Sequence, residues 1–343
     1  MRAWLERALV ARWYGPSPIA LLRPLAGLYA GLAWLIGRPW AWGWRQPWRA
    51  PCPVLVVGNL IVGGAGKTPT VIALVQALQA RGWHPGVVSR GHGRRSTGTV
   101  LAAPGVDAGA LGDEPWLIAR ATGVPVAVAR QRADAAQALL QAHPAVDLLI
   151  ADDGLQHQAL ARDLALWVFD ERGAGNGALL PAGPLRQPLP AQVPPGVRVL
   201  YNAAAPSTPL PGLCATRALA GAVPLQDWHR GAPMQPAALS ALRGQPVLAL
   251  AGIAAPERFF GMLRAEGLAV RTLALPDHAD LGTPPWPAGT PTVLCTEKDA
   301  AKLHPGRCGG TQVWVVGLDF RLPPELIADL DRHLRAARSA AAP

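Results

Sequence analysis

The run Gly63-Gly64-Ala65-Gly66-Lys67-Thr68-Pro69 has the composition of a loop that binds phosphate groups. It follows a short apolar segment, Val54–Val57, and opens a helical pattern, which is the context that a phosphate loop requires. Backbone N–H groups at the start of a helix bind phosphate oxygens, Lys67 is expected to reach the terminal phosphates, and the Thr68 hydroxyl is expected to bind Mg²⁺. Pro69 suits the first helical turn, because its missing N–H costs nothing there. Ile61 stands where the strict pattern has glycine, so this is a variant loop.

The alternative for this run is a glycine-rich turn that binds nothing. Lysine is scarce, since Lys67, Lys298 and Lys302 are the only lysines in the chain. A chance lysine at this position is therefore improbable, and nucleotide binding is the favoured interpretation.

Two adjacent carboxylates, Asp152 and Asp153, follow the apolar segment Val146–Ile150. A strand that ends in carboxylates is where a phosphate-loop fold holds its metal ion. One acid is expected to enter the Mg²⁺ shell and the other to take a bridging or supporting position. Alone, the segment would be read as an Asp-Gly turn that closes a strand. His157 either orients these carboxylates or faces solvent.

Two polar loops lie between these motifs. Ser89, Arg90 and His92 follow an apolar segment and concentrate hydrogen-bond donors that suit an anionic substrate, although an ordinary solvated turn has the same composition. Asp113 and Glu114 precede an apolar helix, where capping of the helix is the simplest role for them. The functional alternative is a carboxylate that accepts a hydroxyl proton during phosphoryl transfer.

Three later motifs present polar groups at the ends of loops or strands. The segment Leu179–Arg186 is a proline-rich loop that presents one arginine, Arg186. The run Pro276-Asp277-His278 ends a strand pattern, and so does the run Thr296-Glu297-Lys298-Asp299, with Lys302 close behind. A lone histidine is more often structural than catalytic, so the residues alone leave the role of His278 open.

Short apolar segments alternate with helical patterns from residue 51 onward, and this alternation predicts the elements that position the motifs. We expect a doubly wound, mainly parallel α/β sheet of the phosphate-loop NTPase type, with a second, smaller α/β domain and an N-terminal membrane-associated helix. The predicted boundaries are 1–50 for the N-terminal segment, 51–202 for the phosphate-loop core, 203–237 for a linker or small hairpin, and 238–343 for the smaller domain.

Residues 1–50 differ in composition from the rest of the chain. They contain seven arginines against the single acid Glu6, together with seven of the 13 tryptophans. Arginine and tryptophan around an apolar centre are typical of a segment at a membrane interface. The uncharged stretch from Pro24 to Gly37 has 14 residues, which is too short to cross a bilayer of about 30 Å. We therefore expect a helix that lies in the interface, with packing on the protein's own core as the alternative.

Composition excludes several classes of protein. Half of the 343 residues are apolar and 16% are charged, which is incompatible with a mainly disordered chain. The net charge is +10, but the N-terminal segment holds most of it, so a nucleic-acid-binding protein with a basic arm is disfavoured.

Eight motifs occur in order along the chain: GNLIVGGAGKTP, SRGHGR, GDEP, DDGLQH, GNGALLPAGPLR, AGIAAPERFF, PDH and TEKD. Together they resemble the tetraacyldisaccharide 4′-kinase family of Gram-negative bacteria, over a span that reaches about residue 320. The resemblance implies phosphorylation, with ATP and Mg²⁺, of the 4′-hydroxyl of an acylated glucosamine disaccharide in lipid A biosynthesis. It also implies location at the cytosolic face of the inner membrane, with no nucleic-acid partner and no obligate protein partner.

The resemblance also implies roles for individual residues. Asp113 matches the carboxylate that acts as the catalytic base, and His278 matches the histidine that pairs with it. Lys67 and Thr68 fall in the phosphate loop, and Arg186 matches an arginine near the phosphates. The metal-associated acids correspond to Asp152 and Asp153, with His157 beside them.

The chain departs from the family pattern at four positions. His92 stands where tyrosine is frequent, Ala65 where threonine is usual, Gln187 where glutamate is common and Ala279 where a second polar residue is frequent. A membrane-attached phosphate-loop switch or metallochaperone NTPase shares the loop and the strand-end acids, but it has no evident use for the GDEP, GPLR and PDH motifs.

Overall fold

Two mainly parallel β-sheets organise the chain in this computed structural model, which describes residues 9–15, 17–277 and 279–341. The first sheet has eight strands in the order β3-β4-β2-β5-β1-β6-β7-β8, and β3 alone of these runs antiparallel to its neighbour. Its strands are β1 (Val54–Gly58), β2 (Pro85–Ser89), β3 (Val100–Leu101), β4 (Val126–Val128), β5 (Leu148–Asp152), β6 (Leu164–Asp170), β7 (Val197–Asn202) and β8 (Leu213–Cys214).

The second sheet has five strands in the order β11-β10-β12-β13-β9, with β9 antiparallel to β13. Its strands are β9 (Thr216–Pro224), β10 (Val247–Ala251), β11 (Val270–Ala274), β12 (Thr292–Thr296) and β13 (Gln312–Arg321). The helices are α1 (Arg23–Ala41), α2 (Lys67–Gln79), α3 (Ala108–Leu111), α4 (Asp113–Thr122), α5 (Arg132–Ala142), α6 (Leu225–His229), α7 (Pro236–Ser240), α8 (Pro256–Ala265), α9 (Glu297–Ala300) and α10 (Pro324–Ala341).

The central strands of the first sheet are buried along their whole length because helices cover both faces. Every residue of β1, β5 and β6 is buried. Near-continuous burial is typical of parallel strands in doubly wound sheets. The predicted α/β fold class is therefore confirmed, and the carboxyl ends of these strands lie at one edge, where such folds bind their ligands.

The N-terminal helix is almost unburied. A helical stretch from Ala20 to Ala41 has a mean hydropathy of 1.4 and is long and apolar enough to cross a membrane, by length and composition. The sequence pattern ended the apolar segment at Gly37, but α1 continues through Arg38 and Pro39. Ala26 is the only buried residue of α1, so this helix does not pack on the protein's own core.

Residues before α1 contact a loop of the first sheet. The Trp13 indole N–H donates to the carbonyl of Pro181 at 2.9 Å, and the amide of Ile19 donates to the carbonyl of Ala182 at 3.5 Å. Within α1, the Tyr29 hydroxyl donates to the carbonyl of Arg186 at 2.9 Å. The N-terminal segment is thus joined to the loop that ends in Arg186.

Residues 203–237, expected to form a linker or hairpin, instead supply strands to both sheets. Short β8 pairs with β7 at the edge of the first sheet, and β9 pairs with β13 in the second. Backbone hydrogen bonds to β7 and β13 hold β8 and β9 in place, although this segment is rich in Pro, Gly and Ala. Helix α10, expected in the smaller domain, packs on the core of the first sheet. The predicted division into 51–202 and 238–343 stays a prediction.

Candidate active site

The phosphate loop lies between β1 and α2, and its backbone shape requires glycine. Gly66 immediately precedes α2 and has a φ of +83°, in the left-handed region that L-residues avoid. A Cβ on Gly66 would also overlap the side-chain amide of Asn202. That amide donates to the carbonyl of Ala65 at 3.2 Å, so β7 supports the loop from beneath.

The Lys67 side chain is buried and points into a polar cluster. Its ammonium Nζ donates to Oδ1 of Asn59 at 3.1 Å and lies 3.6 Å from Oδ1 of Asp153. The Asn59 amide in turn donates to the carbonyl of Gly63 at 2.9 Å. Asn59 therefore connects the loop backbone to the lysine. In the sequence, Asn59 is visible only as part of the GNLIVGGAGKTP motif.

Asp153 and Arg186 form the second part of this cluster. Nη1 of Arg186 lies 3.3 Å from Oδ1 of Asp153 and donates to Gln156 at 3.3 Å. Burial opposes ionisation of Asp153, but Lys67, Arg186 and Arg132 together hold its pKa below the usual value. The structure therefore brings Lys67, Asp153 and Arg186 together, and their roles in catalysis stay predictions.

Asp152 is buried at the end of β5 and differs from its neighbour. One carboxylate oxygen, Oδ2, accepts a hydrogen bond from the Ser89 hydroxyl at 3.1 Å. The other, Oδ1, is buried and has no hydrogen-bond partner among the residues that the structure describes. Burial and the nearby charges of Glu114 and Asp153 raise the pKa of Asp152 to about 6.

The orphaned oxygen of Asp152 fits a divalent cation, because a buried carboxylate oxygen requires either a hydrogen bond or a metal ion. In the described ranges no group of three or more His, Cys, Asp or Glu side chains is close enough to hold a metal ion. A Mg²⁺ ion here would therefore complete its coordination with phosphate oxygens and the Thr68 hydroxyl, as in other nucleotide sites.

Arg132 is a buried residue that the sequence analysis missed. At the start of α5, its Nη2 donates to the carbonyls of Asp152 and Asp153 at 3.1 and 2.9 Å. Its Nη1 donates to Nε2 of His157 at 3.1 Å. Burial, Arg132 and Arg90 lower the pKa of His157 to about 4, so this imidazole is neutral at physiological pH.

Asp113 and Glu114 open helix α4 without capping it. The capping position belongs to Gly112, which has a φ of +94°, so the capping interpretation does not describe either acid. Glu114 accepts a hydrogen bond from Nζ of Lys298 at 2.8 Å. Asp113 lies 4.0 Å from Nζ of Lys302, so lysines of the second sheet face both acids.

A cleft of about 840 Å³ lies between the two sheets. The phosphate loop and α2 line one side, and the loop after β10, helix α8 and strand β13 line the other. Glu114, Asn202 and Lys298 also line it, so the cleft connects the phosphate loop with Glu114 of α4.

A buried ion-pair network lies beside the phosphate loop, and no sequence motif indicated it. Asp170 is fully buried at the end of β6. Its carboxylate forms salt bridges with Arg172 at 2.7 Å and with Arg258 of α8 at 3.3 Å. Burial opposes ionisation of Asp170, but both arginines hold its pKa below the usual value. Arg172 also donates to the carbonyl of Gly64 at 2.7 Å, which ties the network to the phosphate loop.

The remaining predicted site residues occupy less informative positions. Thr68 and Pro69 line the cleft, whereas His92 is exposed and Gln187 is half-buried. His278 lies outside the described residues, so its predicted pairing with Asp113 stays a prediction. Asn202 ends β7, as Asp152 ends β5, and that position is the signal that could have identified it.

Comparison with known protein families places this architecture among lipid kinases. Residues 19–335 match the LpxK family model, described as tetraacyldisaccharide-1-P 4′-kinase. A tetraacyldisaccharide 4′-kinase of Methylibium petroleiphilum is 53% identical over 97% of this chain and 95% of its own length. A second, from Leptothrix cholodnii, is 51% identical over 92% of each chain.

A solved structure has the same fold. The crystal structure of LpxK from Aquifex aeolicus in complex with ATP superposes with a TM-score of 0.74 and 26% sequence identity. The match covers 92% of this chain and 98% of that one.

Proposed function

The chain belongs to the tetraacyldisaccharide-1-P 4′-kinase family and phosphorylates the 4′-hydroxyl of a lipid A precursor with ATP, and we propose that the site described above carries out this transfer at the cytosolic face of the inner membrane. The convergence of Lys67, Asp153 and Arg186 beside the phosphate loop is the observation that carries the assignment of residues. The substrate is a tetraacylated glucosamine disaccharide 1-phosphate.

The phosphate loop and the side chains of Lys67 and Arg186 bind and orient the triphosphate of ATP. Backbone N–H groups at the start of α2 face its oxygens, and the fixed φ of Gly66 keeps them in place. Lys67 and Arg186 neutralise the charge that spreads over the transferred phosphoryl group. Thr68 and Asp152 would hold Mg²⁺, with Asp153 supporting them, and the ion supplies further neutralisation when it is bound.

Asp113 acts as the base in this proposal. Its carboxylate accepts the proton of the 4′-hydroxyl while the new O–P bond forms and the bond between the γ-phosphorus and the ADP oxygen breaks. His278 pairs with this carboxylate and supports its ionised form. The Lys302 ammonium lies 4.0 Å from the Asp113 carboxylate, and its positive charge favours the charged form of that carboxylate before the reaction.

Helix α1 supports the membrane location. Its exposed leucines repeat at intervals of three and four residues, at Leu25, Leu28, Leu32 and Leu35, which places them along one face. Trp34 is stacked by the Arg38 guanidinium at 3.7 Å, and tryptophan with arginine is typical of the headgroup region.

The experiment that tests the function uses the full chain in mild detergent with ATP, Mg²⁺ and a tetraacylated disaccharide 1-phosphate. One added phosphate on the 4′-position of the lipid is the expected product, detected by mass spectrometry. Lys67→Ala should give no detectable product, whereas Arg243→Ala, which removes an exposed ion pair with Glu266, should retain full activity. ATP hydrolysis that does not depend on the lipid, with no lipid product, would contradict the proposal.

A further inference from the structure

Two of the three lysines in the chain lie four residues apart, just after β12 of the second sheet, and face the start of α4. Lys298 belongs to α9, and Lys302 follows it after one turn. Their side chains are only 13% and 11% exposed. The assigned function gives Lys298 no role and uses Lys302 only as a charge near Asp113.

Lys298 joins an acid of α4 to the segment after β11. Its Nζ donates to Oε1 of Glu114 at 2.8 Å and to Oδ1 of Asp277 at 2.9 Å. Burial opposes the charge on this lysine, but Glu114 and Asp277 raise its pKa well above the usual value. The Lys298 ammonium is therefore held between two carboxylates, one in helix α4 and the other in the segment after β11.

Lys302 makes a parallel connection one turn later. Its Nζ lies 4.0 Å from Oδ2 of Asp113 and donates to the carbonyl of Ala279 at 3.0 Å. Each lysine thus links one member of the Asp113-Glu114 pair to one residue that flanks position 278.

The lysines are held on a fixed support. Asp299, between them, is fully buried and accepts hydrogen bonds from the Thr296 hydroxyl at 2.7 Å and from the amide of Gly252 at 3.1 Å. Lys302 also lies 3.6 Å from Asp299. The turn that carries both lysines is therefore fastened to the ends of β12 and β10.

We propose that Lys298 and Lys302 are positioning residues that hold the start of α4 against Asp277 and Ala279, so that Asp113 meets the acceptor hydroxyl. The inference rests on the proposed role of Asp113. Glu114 and Asp277 are both acidic and would repel each other without a cation between them. Lys298 lies between these two carboxylates, so that both are attracted to its ammonium group and α4 is held against the segment after β11.

The test compares charge-removing and charge-preserving variants of the full chain in the lipid kinase assay. Lys298→Met and Lys302→Met should each lower kcat by roughly 100-fold, because a displacement of about 1 Å costs this much, while KM for ATP changes by less than about threefold. Lys298→Arg and Lys302→Arg should recover most of the lost kcat, because they keep the positive charge. Arg243→Met, at the exposed ion pair with Glu266, is the matched control and should leave kcat unchanged.

Glu114→Gln removes the ion pair between Glu114 and Lys298 but leaves Lys298 paired with Asp277. It therefore tests the same contact in a variant that does not leave a buried lysine site without its charge. It should lower kcat without a matching rise in KM for ATP. Unchanged kcat in Glu114→Gln and in both methionine variants would overturn the inference. So would a loss of kcat that follows the melting temperature across all variants, since that is the signature of a purely structural role.

A double variant shows whether the lysines act through the base. Lys302→Met added to Asp113→Asn should be no slower than Asp113→Asn alone, because residues that act as a unit are not additive. Losses that multiply would overturn the inference and leave the role of Asp113 intact. Full activity of Asp113→Asn would instead overturn the proposed function of Asp113, so the two failures are distinguishable.

Discussion

The ammonium group of Lys67 lies 3.1 Å from the side-chain oxygen of Asn59, and both residues are buried beside the phosphate loop. The same Asn59 amide donates to the carbonyl of Gly63. One neutral side chain thus fixes both the backbone of the loop and the direction of its lysine.

Asn59→Ala should lower kcat by at least about tenfold, because Lys67 loses the partner that orients it. The Gly63 carbonyl and the lysine would lose hydrogen bonds in a buried site, which costs about 1–3 kcal/mol of the free energy of unfolding. Steady-state kinetics and denaturant unfolding measure the two effects. A loss of stability with an unchanged kcat would show that Asn59 supports the fold without orienting Lys67.

Gly66→Ala should abolish tight ATP binding, because the new methyl group overlaps Asn202 and the residue has a φ of +83°. Gly82→Ala is the matched control, since Gly82 has nearly the same φ, +84°, with no atom within 4 Å of an added Cβ. The control isolates the cost of backbone strain, about 1–3 kcal/mol. Calorimetry with ATP measures binding, and equal losses in both variants would rule out the Asn202 contact as the cause.

Asp170→Asn should destabilise the protein by about 3–5 kcal/mol at pH 7, because it leaves Arg172 and Arg258 without their shared buried carboxylate. The pKa of Asp170 is lower in the folded protein than its ordinary value of 3.8, so its contribution is fully present above 3.8. The contribution is lost as the pH falls through the lower folded-state pKa.

Urea unfolding of the wild type and Asp170→Asn at several pH values measures this effect. The difference between them should be constant from about pH 7 to pH 5 and should shrink only below pH 4. A difference that already shrinks near pH 6 would contradict the assignment of a depressed pKa.

Replacement of Leu25, Leu28, Leu32 and Leu35 by asparagine should release the protein from membranes. These side chains are each more than half exposed, and each buried leucine contributes about 1.5–3 kcal/mol to partitioning. Sedimentation with vesicles that contain anionic phospholipid measures the change. Continued sedimentation of the variant would mean that another surface of the protein binds the membrane.

Much of the fold could be predicted because buried parallel strands are apolar along their whole length. The apolar segments Val54–Val57 and Val146–Ile150, for example, overlap the observed strands β1 and β5. Strand β9 could not be predicted, because only three of its nine residues are buried and proline and glycine surround it. Its pairing with β13 comes from tertiary contact that no local pattern encodes.

The site was predictable where chemistry follows a recognisable run, as at Lys67 and Asp153. Arg132 and Asn202 could not be found this way, because each acts from an element distant in sequence on a backbone carbonyl. A single arginine at the start of a helix has no distinctive spacing. The sequence pattern places the end of the apolar segment at Gly37, because Arg38 is charged and Pro39 disfavours a helix. In the structure α1 continues through both residues to Ala41.

The hydrogen bonds from Trp13 and Tyr29 to the loop that ends in Arg186 have a mechanical consequence. They join the N-terminal segment to the loop that carries Arg186. In the proposed membrane location, the depth of α1 in the lipid would fix the distance of Arg186 from the bilayer surface. The disaccharide of a lipid substrate would have to extend over that distance to react while its acyl chains stay in the bilayer.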